Sequence, residues 1–323
     1  MCGVRRASNA PDRSAGLHER NRMERREFIK TSAAALASSL LPLNAVGGDG
    51  GGPVVWEVKG PQPAAVEALF DALGGLEKIM PADPARAIVL LKPNICLPHS
   101  AAMATTTSPE LVDGLCGFLE SRGVGRIIVA DHSLKGHGFE RMELVTRARK
   151  HPHAKALLYN ERRWYRPVQI GGRVLETAEL LKLIKKADLL INLPAAKHHS
   201  ATQVSLATKN LMGLIWNRTA FHTQFDLDQA IGDLALAVRP HLNIVDATRV
   251  LLDGGPTGPG RVVEENRLFA STDMVAVDAV VAARYDFGGK SLSPREIAHL
   301  QAASENRVGE IDLERIKVEE INS

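Results

Sequence analysis

The feature that most constrains this chain is a series of short apolar runs separated by segments of helical spacing. Helical periodicity appears, for example, over residues 109–122 and 176–187. Strands that alternate with helices predict an α/β fold with a mostly parallel, open sheet and helices on both faces. One large domain and two lobes around a cleft are both compatible with 323 residues. The apolar runs of strand length lie at residues 87–91, 126–130, 189–193 and 242–245.

Polar residues follow each of these runs at the carboxyl end of the predicted strand. The carboxyl ends of parallel strands share one edge of a sheet, where open α/β folds bind their ligands. We therefore predict a ligand site at this edge, and the simpler alternative is that each strand end only meets solvent. The polar residues at the four ends are Lys92 and Asn94, Asp131 and His132, Lys197, His198 and His199, and Asp246.

The run at 189–193 stops at Pro194, and we expect a polar loop after it, followed by an amphipathic stretch. Lysines on both segments suit a carboxylate or phosphate group, which predicts a small anionic ligand, whereas solvated lysines are the alternative. We assign His198, His199 and Asp131 to catalysis. The residues predicted to bind cofactor or substrate are Lys92, Asn94, Lys197, Lys209, Asn210, Asp246 and Asp278.

The histidines also suggest a divalent metal as cofactor, whose identity the sequence leaves unknown. His199 and His222 are the predicted ligands, with His132 and His137 available from elsewhere. The sequence has no HExxH spacing, so hydrogen-bonding or acid–base roles are equally open to these histidines. It also has no CxxC, so no iron–sulfur cluster is expected.

Two residues in apolar surroundings need a structural explanation. Asp278 lies within an apolar helix that Asp273 is a candidate to cap, and a carboxylate there is costly unless it is paired. We expect Asp278 either to anchor a lysine or histidine of the site or to face outward. Cys116 lies on an apolar helix face, so we expect a core thiol rather than a disulfide with Cys96.

Residues 1–45 are predicted to form an export signal. Residues 24–30, ERREFIK, resemble the twin-arginine motif, and the apolar run that follows is too short to span a bilayer. We expect the twin-arginine translocase as partner, export of the folded protein to the periplasm or beyond, and no stable membrane span after cleavage. Residues 46–53 form a glycine-rich linker and 54–323 the mature domain. Met23 directly precedes the motif, so translation starting there would make residues 1–22 a start-site artefact.

The net charge gives no support for a nucleic-acid partner. The whole chain carries +3, but residues 1–45 hold eight Lys/Arg and four Asp/Glu. The remainder has 32 basic and 33 acidic residues, which is close to neutral. A nucleic-acid-binding domain is expected to carry a marked basic excess, so this class of function is excluded.

Several segments, in the right order over roughly residues 86–310, resemble the DUF362 family of prokaryotic proteins. The family's activity is not established, so the resemblance implies membership and little chemistry. Many relatives carry ferredoxin-like cysteine clusters, which this chain lacks, and Lys197-His198-His199 stands where the family has Lys-x-His. The segments are Leu91–Asn94, Ala104–Val112, Ala130-Asp131, Ile191–His199, Thr208–Ile215, His222, Ile244–Asp246, Gly254–Gly260, Ala270–Asp273 and Ala276–Ala279.

The order His199, Lys209, His222 is also similar to that in nickel-pincer lactate racemases, where a lysine is joined to the cofactor and histidines bind nickel or move protons. Order alone does not transfer function. Two hypotheses follow. The protein is either a metal- or cofactor-dependent enzyme acting on a small anionic substrate, or a non-catalytic periplasmic binding protein for an anionic ligand.

Overall fold

The structure, a computed structural model, describes residues 51–133 and 142–323. The predicted signal at 1–45, most of the linker at 46–53 and His137 lie outside these residues. Within the described part, the strands are β1 (Val54–Lys59), β2 (Ile88–Pro93), β3 (Arg126–Asp131), β4 (Ala154–Leu158), β5 (Tyr165–Gln169), β6 (Thr177–Leu181), β7 (Leu189–Leu193), β8 (Ala195–His199), β9 (Gln203–Ser205), β10 (Leu242–Leu251), β11 (Val262–Ser271) and β12 (Lys317–Asn322). The α-helices are α1 (Ala64–Ala72), α2 (Pro109–Ser121), α3 (Glu143–Ala148), α4 (Ala207–Asn210), α5 (Arg218–Thr223), α6 (Leu227–Ala237), α7 (Met274–Arg284) and α8 (Ala298–Glu305).

One large sheet organises these elements in the order β12-β1-β11-β10-β7-β2-β3-β4. The five adjacent strands β10, β7, β2, β3 and β4 are parallel to one another, and β12 is parallel to β1. Only β11 is antiparallel to both of its neighbours, β10 and β1, in this path. The predicted α/β fold with a mostly parallel sheet is therefore confirmed.

Helices cover both faces of the sheet because alternate residues of each strand are apolar on opposite sides. Val89 and Leu91 of β2 face α1, α2 and α3 in one core cluster. Leu90 and its neighbours on the other face pack against α4, α6, α7 and α8 in a second cluster. The described residues, 51–133 and 142–323, all belong to one compact unit, so of the two expected arrangements one large domain is observed.

The predicted helix at residues 176–187 is wrong. The segment instead forms β6, which pairs antiparallel with β5 in a small separate sheet, followed by a 3₁₀-helix, Lys182–Lys186. Leu180 also bridges to Ile215, and both Leu180 and Leu181 are buried. Pairing with β5 supplied the backbone hydrogen bonds, and tertiary packing overrode the local helical pattern.

The predicted polar loop after Pro194 is also wrong, since residues 195–199 form strand β8. This strand continues past β7, pairing with β10 on one side and antiparallel with β9 on the other. It can do so because β10 does not end at Val245 as expected but runs on to Leu251. Asp246 therefore lies within a strand rather than after one.

Several smaller expectations are confirmed. The Asp273 side chain caps α7 by accepting hydrogen bonds from the backbone N–H groups of Val275 and Ala276. Cys116 is fully buried in α2, and Cys116 and Cys96 are both free thiols. Burial raises the pKa of Cys116 to about 12. Within residues 51–133 and 142–323, none of the helices combines the length and apolarity that crossing a membrane requires.

Candidate functional site

The carboxyl ends of β2 and β3 bring Lys92 and Asp131 together as a buried ion pair. Lys92 Nζ lies 2.9 Å from Asp131 Oδ1, and the Lys92 side chain is 1% exposed. The ammonium group also donates to the Pro93 carbonyl at 2.7 Å and to Asn210 Oδ1 at 3.0 Å. Three donors thus meet three acceptors. Burial lowers the pKa of Lys92, and the Asp131 carboxylate acts in the opposite direction.

The rest of the Asp131 carboxylate is occupied by backbone donors. Its Oδ2 accepts from Ile95 N at 2.7 Å, and its Oδ1 accepts from His132 N at 2.9 Å. Gly213 packs against the ion pair so closely that an added Cβ would overlap both the Asp131 carboxylate and the Lys92 ammonium. Both oxygens of Asp131 are thus hydrogen-bonded and Oδ1 is paired with Lys92, so the geometry favours a positioning role over the predicted catalytic one.

A row of buried amides extends from this pair across the sheet. Asn210 Nδ2 donates to Asn192 Oδ1 at 2.9 Å, and Asn192 Nδ2 donates to Asn243 Oδ1 at 3.0 Å. Asn243 Nδ2 then donates to the Ser271 carbonyl at 3.3 Å. We did not predict roles for Asn192 and Asn243, although an asparagine inside an otherwise apolar strand was the available signal. The row fixes α4, which carries Asn210, to β7 and β10.

Lys197 on β8 lies in the same edge but has no carboxylate partner among the described residues. Its Nζ donates to the Thr105 carbonyl at 2.6 Å and, at 3.5 Å, to Asn94 Oδ1, which places the predicted residue Asn94 in the site. The side chain is 3% exposed. Burial lowers the pKa of Lys197 to about 8, and the charge of Lys92 adds to this effect.

Lys209 on α4 has still fewer contacts. Its only hydrogen-bonding contact in the described part of the chain is Met212 Sδ, at 3.9 Å. The side chain is 6% exposed, and burial lowers its pKa to about 8. The charge of Lys197 lowers it further, whereas Asp228 acts in the opposite direction from beyond ion-pair distance. Lys209 is thus a buried amine without an oxygen acceptor.

The predicted histidines surround these two lysines. Burial, and then the charges of Lys209 and Lys197, lower the pKa of His199 to about 2, so the ring is neutral. Its Nδ1 accepts a hydrogen bond from Ala201 N, which leaves the ring proton on Nε2. His198 Nδ1 accepts similarly from Gly255 N at 3.1 Å. On α5, partial burial and the Lys209 charge lower the pKa of His222.

These donors do not suit the predicted metal site. In the described ranges, no three His, Cys, Asp or Glu side chains are grouped so that they could hold a metal ion. His199 Nδ1 is already used by a backbone N–H, and two lysines act on its ring electrostatically. A cation would be repelled by those ammonium groups. We therefore derive no chemistry through a metal held by His199 and His222.

Asp246 and Asp278 both bind backbone rather than a ligand. Asp246 accepts from Ser108 N at 2.5 Å and from Thr248 N at 3.0 Å, which ties the start of α2 to β10. Asp278 is fully buried and accepts from Ala207 N at 2.7 Å and from Thr208 N at 2.8 Å. Neither expectation for Asp278 is correct, because it neither faces outward nor binds a lysine or histidine. It holds the start of α4, and burial raises its pKa to about 7 against the opposing effect of these hydrogen bonds.

Two further side chains near the lysines, Cys96 and Arg218, had no role in the sequence-based prediction. Cys96, half-buried, lies close enough to influence Lys92, Lys197 and Lys209 electrostatically. Arg218 acts in the same way on Lys92 and His222 and has no carboxylate partner in the described residues. Neither residue follows a predicted strand directly, so the strand-end pattern could not select them.

His132 has a ring tautomer that can accept a proton. Its Nδ1 lies 2.8 Å from the Ile215 carbonyl, so Nδ1 carries the ring proton and Nε2 keeps its lone pair. The ring stacks on Trp216 with centroids 5.2 Å apart. Burial, and then the charge of Arg218, lower its pKa. We noted His132 at a strand end but did not place it among the catalytic residues.

Comparison with known proteins is consistent with this arrangement. The family described as "Domain of unknown function (DUF362)" matches residues 89–283, a segment that includes every predicted site residue from Lys92 to Asp278. The chain is also 26% identical over 242 residues to the thylakoid-associated protein sll1697 of Synechocystis sp., an alignment that covers 68% of each protein. Since the family match covers more than half of its residues, the chain belongs to the DUF362 family.

Proposed function

We propose that this protein binds a small anionic ligand, carrying a carboxylate or phosphate group, at Lys197 and Lys209. One observation carries the proposal: two buried ammonium groups lie at one sheet edge, and neither has a carboxylate partner among the described residues. Burying a charged group is costly unless an opposite charge or a full set of hydrogen bonds compensates it. A bound anion would supply the missing negative charge and raise the pKa of both lysines.

The surroundings offer further donors to such a ligand. Neutral His199 presents an Nε2–H group, and nearby Arg218 adds a guanidinium that forms no ion pair within residues 51–133 and 142–323. Acidic side chains that would repel an anion are otherwise engaged, since Asp131 is bonded to Lys92 and Asp246 to backbone N–H groups. The site therefore combines positive charge with hydrogen-bond donors and few free acceptors.

Catalysis on the bound anion is the second candidate, and His132 is the observation that favours it. Its Nε2 keeps a lone pair, and its lowered pKa leaves the ring neutral at pH 7. A neutral imidazole beside a bound substrate can accept a proton. Plain binding and enzymatic turnover share the same anion site, so one binding experiment tests the step on which both depend.

Isothermal titration with inorganic phosphate and with oxalate tests the proposal. We expect Lys197→Met and Lys209→Met each to weaken binding on the order of tenfold or more, because a charge-assisted hydrogen bond contributes about 1.5–3 kcal/mol. Lys186→Met, which removes an exposed lysine outside the site, is the matched control and should bind normally. Binding should also weaken above pH 8 as the two lysines lose their protons.

Failure of both anions to bind the wild-type protein would contradict the proposal. So would equal affinity in Lys209→Met, Lys197→Met and the Lys186→Met control. His132→Gln should still bind phosphate and oxalate, because in the catalytic proposal its ring acts only as a base and does not hold the anion.

Export by the twin-arginine route is also part of our proposal, supported by Arg25 and Arg26 within residues 24–30 and by the apolar run after them. Replacing both arginines by lysine should retain the protein in the cytoplasm, whereas Arg22→Lys should not. Amino-terminal sequencing of the exported protein should begin at Val46. Equal export of both variants would contradict this route.

A further inference from the structure

Lys209 differs from the other lysines of the site in the number of oxygen atoms to which its amine donates hydrogen bonds. Lys92 donates to three oxygens and Lys197 to two, whereas Lys209 contacts only the Met212 sulfur among the described residues. A buried ammonium ion without oxygen acceptors is costly, and a neutral amine in the same place costs less. The surroundings of Lys209 therefore make the neutral form, in which its nitrogen keeps a lone pair, more accessible than in an ordinary lysine.

A desolvated lysine beside a second cationic group is the arrangement that activates an amine as a nucleophile. Lys197 is that second group: after burial, its charge also lowers the pKa of Lys209, against the opposing effect of the more distant Asp228 carboxylate. Lys197 has already committed two of its donors, to Thr105 and Asn94, which leaves one N–H for a ligand. One charged donor suits a single carboxylate better than a phosphate dianion.

We propose that Lys209 Nζ forms an imine with the carbonyl carbon of a small oxo acid whose carboxylate is held by Lys197. This inference rests on the proposed anion site and assigns its substrate class. The amine lone pair attacks the carbonyl carbon, and a C–N bond forms as the C=O bond breaks. Both amine protons leave with the carbonyl oxygen as water, so the step needs neither an oxidant nor a reductant.

The other elements of the site fit this role. Asp278 fixes the start of α4, which holds Lys209 in place without contacting its amine. Neutral His199 can donate its Nε2–H to the oxygen that develops negative charge during attack, while keeping its own proton. The imine nitrogen would then lie among groups that already carry positive charge, which favours a neutral imine over a protonated one.

The experiment traps the imine in the wild-type protein, so no variant has to fold. Protein incubated with pyruvate and sodium cyanoborohydride is analysed by intact mass and peptide mapping, with acetone as the matched carbonyl that lacks a carboxylate. We expect one pyruvate-derived modification at Lys209, exceeding that at exposed Lys186 on the order of tenfold or more, since an ordinary lysine is almost fully protonated at pH 7.5. Acetone should modify Lys209 at least several-fold less than pyruvate.

Pyruvate binding is measured in parallel by calorimetry without the reductant. If pyruvate binds but Lys209 is not modified, the imine is overturned while the anion site stands. If pyruvate and phosphate both fail to bind and Lys209 is unmodified, both proposals fall. Equal trapping of acetone and pyruvate at Lys209 would overturn the oxo-acid assignment, and modification spread over exposed lysines would overturn the special role of Lys209.

Discussion

Strand β2 and helix α4 each carry a buried lysine, and the two lysines have opposite surroundings. Lys92, 1% exposed, has a carboxylate and two further oxygen acceptors around its ammonium group. Lys209, 6% exposed, has a sulfur contact and a neighbouring positive charge. Burial is almost equal, so the difference lies in the partners. A buried lysine that is fully paired supports the fold, whereas one without a counter-charge is a candidate to meet a ligand.

The acidic residues of this edge also differ in their partners. Asp131 neutralises Lys92, while Asp246 and Asp278 accept hydrogen bonds from backbone N–H groups at the starts of α2 and α4. None of the three forms an ion pair with Lys197 or Lys209 within the described ranges. The carboxylates of this edge thus hold its framework. In the described ranges neither Lys197 nor Lys209 lies within ion-pair distance of a carboxylate, although Asp228 acts on Lys209 from farther away.

The largest expected effect is the loss of the paired lysine. Lys92→Met should lower the free energy of unfolding by about 3–5 kcal/mol, because it leaves Asp131 buried without its counter-charge. Lys209→Met should leave stability unchanged or raise it, since it removes an uncompensated buried charge. Urea denaturation of both variants measures the difference. Similar losses in the two would break the distinction between paired and unpaired lysines.

A smaller effect is expected at Asp278, which holds the start of α4, the helix that carries Lys209. Asp278→Ala leaves the Ala207 and Thr208 N–H groups without an acceptor and should cost about 1–3 kcal/mol of stability. Because α4 carries Lys209, phosphate binding should weaken as well. Asp278→Asn keeps one carbonyl oxygen and should restore part of both properties. Normal stability and binding in Asp278→Ala would show that α4 does not depend on this carboxylate.

The most gradual effect is a pH dependence of stability, to which the lowered pKa of Lys209 should contribute. Lys209 has a pKa of about 8 in the folded protein and 10.5 as an ordinary lysine, so between these values the unfolded chain binds more protons. The free energy of unfolding should therefore rise with pH from about 8 to 10.5, by at most about 1.4 kcal/mol per pH unit for one proton.

Lys209→Met should remove its share of this slope, and Lys186→Met should not. Denaturation curves recorded at several pH values for the wild type and both variants give the comparison directly. An unchanged slope in Lys209→Met would mean that Lys209 keeps an ordinary pKa in the folded protein and that burial does not make its neutral form more accessible.

Much of the framework followed from local patterns. The apolar runs predicted four of the parallel strands, and the polar residues after them predicted which edge would carry Lys92, Asp131 and Lys197. The errors arose where long-range pairing decided the outcome. Residues 176–187 have helical spacing but pair with β5, and residues 195–199 form a strand because β10 extends beside them.

The sequence by itself determined the fold class, the family and the sheet edge at which charged residues gather, because strand period and strand ends are written in neighbouring residues. Only the tertiary structure decided which charge has a partner. Lys92 and Asn210 are hydrogen-bonded although 118 positions separate them, and the start of α4 is held by a carboxylate from α7. Such pairings depend on how the chain folds back on itself, and they distinguish the paired Lys92 from the unpaired Lys209.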